Sequence, residues 1–327
     1  MIPDDIIFKI VRSAAKAPSG HNTQPWLFVK EDDGICIKPD FSRALPVADP
    51  EHRELFISLG CAAETAMIAA RFYGYRPALQ INALGTDCSI KISLQKDDTI
   101  EQPALFSYIT ARQTTRNLYD KNKIPAEDLM NLKQAVSESG VGVRLFSGQS
   151  ELGRFSPYIT EANTIQISNS NFKNELIQWM RFSEKEAMQK GDGLYTACSG
   201  VPSMGRLVGS FLLKNFVTAK SENKRLLNQL EKTAAVAIFT SPIDNVKDWI
   251  KTGRAFQCFA LTATKLNLSH SHLNSPCQIP AVRDKMISAF CLEGGFLQLI
   301  IRLGYSQKMH FSFRRRINDV IIEQNIE

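Results

Sequence analysis

Apolar residues near the start of the chain recur at helical spacing: Ile6, Ile7, Ile10, Val11, Ala14 and Ala15 follow Pro3, Asp4 and Asp5. The period predicts an amphipathic helix whose acidic first turn complements the positive end of its dipole, and Pro18 stops it. Two short apolar runs, 26–30 and 35–38, flank the turn-prone EDDG and predict a β-hairpin closed by Pro39. SLGCAAETAMIAARFYG follows, an Ala-rich helix with few charges, the composition of a helix at the centre of an assembly. Further strands are predicted near 78–83 and 89–94.

The same themes return later in the chain. IPAEDLMNLKQAV at 124–136 resembles IPDDIIFKIVRSA at 2–14, and TGRAFQCFALTATKLNLS at 252–269 resembles SLGCAAETAMIAARFYGY at 58–75. Aligning Gly60 with Gly253 sets Gly74 on Asn267, each just past its helix, where a left-handed cap favours Gly or Asn. The pattern predicts an internal duplication with halves at 1–102 and 103–327. Short matches between Ala-rich helices also arise by chance.

With 327 residues, 44% of them hydrophobic, the chain can bury one large core or two modest ones. Its charge of +6, from 39 basic against 33 acidic residues, is spread along the sequence. That balance favours phosphate-bearing small molecules slightly, and the lack of an aromatic-interleaved basic stripe argues against nucleic acid. Seven cysteines without a CxxC pair read as reduced thiols of a cytoplasmic protein. MIPDDIIFKI lacks a basic segment ahead of a long apolar run, so no secretory signal is expected. The apolar stretch MISAFCLEGGFLQLIIRLGY is broken by Glu293, a Gly-Gly pair and Arg302, so no membrane span and no membrane partner are expected.

Three polar clusters are candidates for chemistry. In APSGHNTQPW (17–26), Ser19 and Asn22 can bond neighbouring backbone, and Pro25 forces extension into Trp26, a core strand residue. The composition fits an elaborate helix-to-strand turn, and equally a small-residue loop that lets Ser19 and Asn22 approach a flat polar ligand. RQTTR at 112–116 reads as a solvated basic turn or an anion clamp, and the arginines of FSFRRR (311–316) as solvent-facing charge or phosphate contacts. His270, His272 and Cys277 lack a second matching ligand pair and read as polar surface rather than a metal site. Gly191, Gly193, Gly205 and Gly209 do not form a dinucleotide fingerprint.

Taken together, these clusters resemble a known family. APSGHNTQPW is similar to the A-P-S-x-x-N-x-Q-P-W signature of FMN-dependent nitroreductases. ARQTTRNLYDKNKIPAEDL is similar to their R-x-S/T-x-K/R element before an Ile/Val-Pro helix start, and FSFRRRINDV to their C-terminal basic cluster. LPVADPEHRELFISLGCAAETAMIAARFYGY and LYTACSGVPSMG resemble the fused, double-length Acg-like branch. The resemblance covers most of the chain, strongly at 14–75 and 105–136 and more loosely at 250–320. It implies an α+β fold, a three-layer α/β/α sandwich duplicated so that one chain mimics the family dimer.

In ordinary members each flavin lies between two subunits, with the basic clamp from one and the P-S-x-x-N loop from the other. Here the first half keeps the loop and the second keeps the clamp, which implies one flavin site per chain. The resemblance assigns Arg112 to the phosphate or ribityl chain, Thr114 to a hydroxyl, and Arg116 to the N1/O2 edge of the ring. Arg314 and Arg316, sharing a face of an extended segment, are assigned to the phosphate. Pro18, Ser19 and Asn22 are assigned to the other side of the ring, and Gln24 to holding the loop. The implied activity is hydride transfer from NADH or NADPH through FMN to a small conjugated acceptor, with no catalytic side chain. The alternative is a non-catalytic FMN-binding or FMN-sequestering protein whose segment 183–210 forms a lid. Internal fusion implies that a monomer suffices, and leaves a dimer open.

Overall fold

The computed structural model describes residues 2–84, 87–292 and 294–322. The first half runs α1 (Asp4–Ala14), β1 (Trp26–Glu31), β2 (Gly34–Pro39), α2 (Arg53–Phe72), β3 (Tyr75–Leu84) and β4 (Asp87–Lys96). Helix α1 buries Ile7, Ile10, Val11 and Ala14 along one face, as its period predicts. Asp32 and Asp33 form the two-residue loop between paired Glu31 and Gly34.

The second half opens with α3 (Ala126–Gln134) and β5 (Gly142–Ser147). A long insertion follows: α4 (Gln149–Gly153), α5 (Ser156–Ser168), α6 (Ser170–Trp179), β6 (Met180–Arg181), α7 (Glu184–Lys190), β7 (Leu194–Tyr195), α8 (Arg206–Phe216) and α9 (Ala219–Glu231). Then come β8 (Ala235–Ser241), α10 (Val246–Lys265), β9 (Ser269–His272), α11 (Ser275–Gln278), α12 (Pro280–Ala289), β10 (Phe296–Gly304) and β11 (Ile321–Ile322).

Two sheets result, ordered β11-β1-β2-β4-β3 and β5-β8-β10-β9. With the insertions and β11 set aside, both halves run helix, strand, strand, helix, strand, strand. Both sheets then order their strands first, second, fourth, third. The terminal β11 crosses over to pair parallel with β1, Phe28 opposite Ile321.

Helices α2 and α10 pack against each other in a single core between the sheets. Their crossing is tight at two glycines: a methyl on Gly60 would strike the Ile250 carbonyl, and one on Gly253 the Ile57 carbonyl. Cys61 Sγ donates to Gly253 O there at 3.2 Å. Gly74 (φ 79°) and Asn267 (φ 59°) both take the left-handed conformation just past these helices. Helix α2 is long and apolar enough to cross a bilayer, but 89% of its apolar window is buried in this core.

The expected helix-sheet-helix layering holds only in the second half. There β8 turns Ala235, Ala237 and Phe239 toward the central helices, and Val236 and Ile238 toward Phe155 and Phe290 beyond the sheet. The first sheet departs from it: Arg76, Gln80 and Lys38 stand exposed on the far face from the core. Polar residues alternate with the apolar ones there, so only one face is covered by helices.

Candidate functional site

The chain leaves α1 into a corner whose backbone is unusual. His21 (φ 45°), Asn22 (φ 54°) and Gln24 (φ 53°) are all left-handed, a conformation costing roughly 1–2 kcal/mol for most L-residues. Specific bonds hold it. Gln24 N donates to Ser19 Oγ at 2.9 Å, Gln24 Nε2 donates to Gly191 O at 2.8 Å, and Gln24 Oε1 accepts from Arg315 N at 2.9 Å. Asn22 Nδ2 donates to Gly193 O and Phe313 O, both at 3.1 Å, while its Oδ1 accepts from Arg314 Nη1 at 2.9 Å. Gln24 therefore holds the loop, and the Asn22 amide is spent on protein partners rather than turned toward a ligand.

Segment 183–204 is the structure behind this corner. Gly193 N donates to Asn22 O at 3.2 Å, and Asp192 pairs with Arg43 and, at 2.6 Å, with Arg181. The lid expected at 183–210 is instead a buttress: its glycines pass close enough for Asn22 and Gln24 to bond their carbonyls, and no residue of that range lines either hollow below.

In front of the corner lies a hollow of about 190 Å³ lined by Lys16, Pro18, Ser19, Arg112, Thr114, Arg116 and Arg314, with no carboxylate in its wall among the described residues. Arg112 is buried; its Nη2 donates to Lys16 O at 3.1 Å, while Nε and Nη1 have no partner. Arg314 Nη2 donates to Lys16 O at 3.2 Å, and its Nε is also unpartnered. Burial pushes Arg112 down to about 10, and burial with the neighbouring Arg112 charge pushes Arg314 down to about 9. Burial, then Arg314 and Arg12, lowers Lys16 as well. Cations gathered at such cost without a counter-charge make an anion site.

The clamp loop is positioned from behind. Buried Arg302 of β10 donates to Thr115 O (3.3 Å) and Asn117 O (2.8 Å) and stacks over the Tyr119 ring at 3.9 Å. Gln229 Nε2 donates to Arg116 O at 2.7 Å. Thr114 and Arg116 are thereby fixed toward the hollow. Sequence reading treated Arg302 only as a break in an apolar run; a lone arginine inside a strand was the available signal.

A second hollow of about 240 Å³ shares Pro18, Ser19, Thr114 and Arg116 with the first. Ile57, Phe172, Phe256 and Leu299 make one part of its wall, and Glu54, Gln166, His272, Asn274 and Gln278 another. Glu54 accepts from Asn274 Nδ2, from Gln278 Nε2 at 3.0 Å and from Arg53 Nη2 at 3.2 Å. Burial lowers His272 to about 3 and His21 to about 4, so both are neutral at physiological pH. His270 is buried with both ring nitrogens unpartnered. His270 is thus interior and His272 half-buried in the wall of the hollow, rather than polar surface, because β9 is drawn in by pairing with β10.

Of the sequence-predicted residues, Pro18, Ser19, Asn22, Arg112, Thr114, Arg116 and Arg314 line the first hollow, and Gln24 supports it. Arg316 does not join them. Residues 305–316 form no strand, so side chains do not alternate between two faces there, and Arg316, just before the 3₁₀ turn Ile317–Asp319, is exposed. Arg315 instead donates to Gln24 O at 3.1 Å and pairs with Asp40 at 3.5 Å.

Across the α2–α10 crossing, a further cavity of about 510 Å³ is lined by Gln134 at the end of α3, by Ser137 and Ser139 after it, and by Lys251 and Arg254 of α10. In the Gly60–Gly253 alignment Lys251 and Arg254 stand where Ser58 and Cys61 stand in the second hollow. Arg254 Nε donates to Glu64 at 2.8 Å, and the Cys258 thiol donates to the same carboxylate at 3.4 Å.

No family model matches the chain. "Putative NAD(P)H nitroreductase Rv3131" of Mycobacterium tuberculosis H37Rv is 24% identical over 93% of this chain and 86% of its own length. "Putative NAD(P)H nitroreductase acg" of the same strain is 22% identical over 94% and 92%. Among solved structures, iodotyrosine deiodinase bound to FMN and 3-iodo-L-tyrosine aligns at TM-score 0.44 and 14% identity, over 68% of this chain and 100% of that one.

Proposed function

We propose that this chain, a member of the nitroreductase superfamily, is an FMN-dependent NAD(P)H oxidoreductase with one flavin site assembled from both halves of a single polypeptide. The observation that carries the proposal is the meeting of two remote segments. Loop 18–22 and clamp 112–116 jointly line a cationic hollow, and Pro18, Ser19, Thr114 and Arg116 also line a second one whose wall is partly apolar.

The residues fit the cofactor. Unpartnered guanidinium nitrogens of Arg112 and Arg314 offer planar, charge-assisted donors to a phosphate, with Lys16 beside them. Thr114 and Ser19 line both hollows and would offer hydroxyls to a ribityl chain. Arg116, lining both, would hold a positive charge near the ring, with Pro18 and the apolar wall beside it. When bound, FMN supplies the hydride chemistry. The chain's own part is to orient the ring, to exclude water with Ile57, Phe172, Phe256 and Leu299, and to hold positive charge near it. Neutral His272 and the amides of Gln166, Asn274 and Gln278 act as hydrogen-bonding groups toward ring or substrate, not as strong bases.

An internal duplication accounts for the shared strand order, the reciprocal Gly60–Gly253 contact and the matched left-handed caps. On this reading the cavity at Arg254 is the counterpart of the flavin site, closed by its ion pair with Glu64. Sequestration without turnover depended on a lid at 183–210, a segment that lies behind the loop. The test is anaerobic mixing of FMN-loaded protein with NADH and with NADPH: loss of the flavin's visible colour is expected with at least one. A protein that takes up no FMN on reconstitution overturns the proposal.

A further inference from the structure

Helix α8 (Arg206–Phe216) is tied down at its start, where Arg206 donates to Met180 O at 3.1 Å and pairs with Glu186 at 2.6 Å, and is largely exposed beyond it. Gly209 is its one buried residue, seated against the Phe182 ring. Leu207 is 89% exposed, Phe211 60% and Phe216 65%, with exposed Val208 and Leu212 beside them. Positions 207, 208, 211 and 212 lie one turn apart and form one stripe. A helix of eleven residues is marginal in water on its own, and a contiguous exposed apolar stripe marks a contact surface.

Charge indicates what covers it. Residues 201–232 carry six Lys or Arg against two Glu, and α8 itself has no acidic residue. Lys214, Lys220 and Lys224 are exposed and, among the described residues, in no ion pair. A self-complementary contact between two copies would set this basic patch against itself. An anionic surface complements both features at once.

We propose that the α8–α9 corner docks the protein on an anionic lipid surface. The Leu207–Phe211 stripe enters the boundary between headgroups and acyl chains, and the lysines meet the headgroups. At eleven residues α8 is far too short to span a bilayer, which takes about 20. The sequence expectation of no membrane partner rested on the lack of a spanning segment, and a helix lying in the interface needs none.

Flotation of the full chain with phosphatidylcholine–phosphatidylglycerol vesicles tests the proposal, with pure phosphatidylcholine vesicles alongside. Binding is expected to the mixed vesicles only, and to weaken at high salt. Phe211→Glu should abolish it. Lys220→Gln with Lys224→Gln should lower affinity about 25-fold, at ~1 kcal/mol per surface charge. All three side chains are exposed, so thermal melting should match the parent. Absent or lipid-indifferent binding overturns the proposal, as does a solution dimer that Phe211→Glu dissolves without any vesicle binding.

Discussion

Arg314 Nη1 donates to Asn22 Oδ1 at 2.9 Å, joining residues 292 positions apart at the back of the cationic hollow. The bond aims a guanidinium that still has an unpartnered Nε, and it locks an asparagine in a left-handed turn. Asn22→Ala removes the acceptor and adds a backbone penalty that Asn largely avoids. Asn22→Gly removes the same amide, with its acceptor and its bonds to Gly193 O and Phe313 O, without that penalty. Hydrogen bonds to charged groups contribute about 1.5–3 kcal/mol. FMN affinity, read by quenching of free flavin fluorescence, should fall about tenfold or more in Asn22→Gly, and Asn22→Ala should also melt lower. Unchanged affinity in both would remove Asn22–Arg314 from the site's support.

Arg112 gives a prediction with two opposite signs. It is a buried cation with two unpartnered nitrogens and no carboxylate beside it, so it costs stability in the free protein. Arg112→Met fills similar space without the charge. The cofactor-free variant should be more stable than the parent by about 1 kcal/mol or more in urea, while FMN retention drops at least tenfold. A purely structural arginine would show the reverse: lower stability with affinity unaffected.

Much of this candidate site is legible in the sequence, and the reasons are physical. Helix α1 announces itself by period, the hairpin by apolar runs on either side of EDDG, α2 by its Ala-rich, charge-poor composition and α10 by its likeness to α2, and Gly74 and Asn267 by the cap each helix needs. Pro18, Arg112 and Thr114 could be placed because motifs mark them. Arg316 departs because an i, i+2 argument needs strand alternation, and 305–316 forms no strand. The lid failed because sequence shows that a glycine permits close approach, not what approaches. Arg302 and Gln229 hold the clamp through its backbone carbonyls; Arg302 shows only as a lone arginine in an apolar run, and no local pattern marks Gln229.

Acid should destabilise the protein through its buried histidines. His21 and His272 are pushed from 6.5 to about 4 and about 3 by burial first and nearby arginines second, and His270 falls well below its ordinary value. The folded state refuses protons that the unfolded chain accepts from 6.5 downward. Stability is therefore intact above that pH and lost as pH falls through the window toward 4, at about 1.4 kcal/mol per pH unit for each histidine. His270→Leu removes one proton from the uptake. Urea midpoints measured across this range should fall less steeply in the variant, and an identical slope would contradict the burial of a neutral His270.

The Gly60–Gly253 contact should tolerate no side chain. Alanine is the better helix former by about 1 kcal/mol. Here, however, its methyl would press on the Ile250 or Ile57 carbonyl of the facing helix, and main chain cannot give way as a flexible side chain can. Gly60→Ala and Gly253→Ala should each destabilise by about 1–3 kcal/mol net in denaturant titrations. Because both act on one crossing, the double variant should cost less than the sum, as the helices separate once. Strict additivity would mean the two glycines do not share a contact.

Flavin stoichiometry tests the single-site reading most directly. If the halves descend from one unit, the cavity at Lys251 and Arg254 stands where a second cofactor would lie, and Arg254 is held there by Glu64 at 2.8 Å. The turn after α3 has no proline or asparagine corner, and its Ser139 bonds only its own backbone, donating to Val136 O at 2.6 Å and accepting from Val141 N at 3.1 Å. Titration should saturate at one FMN per chain. Arg112→Ala should then weaken the whole binding isotherm, because every bound flavin depends on that residue. A second equivalent in the parent, or a variant that loses half its sites and keeps the rest at full affinity, would show that the Arg254 cavity is a working flavin site.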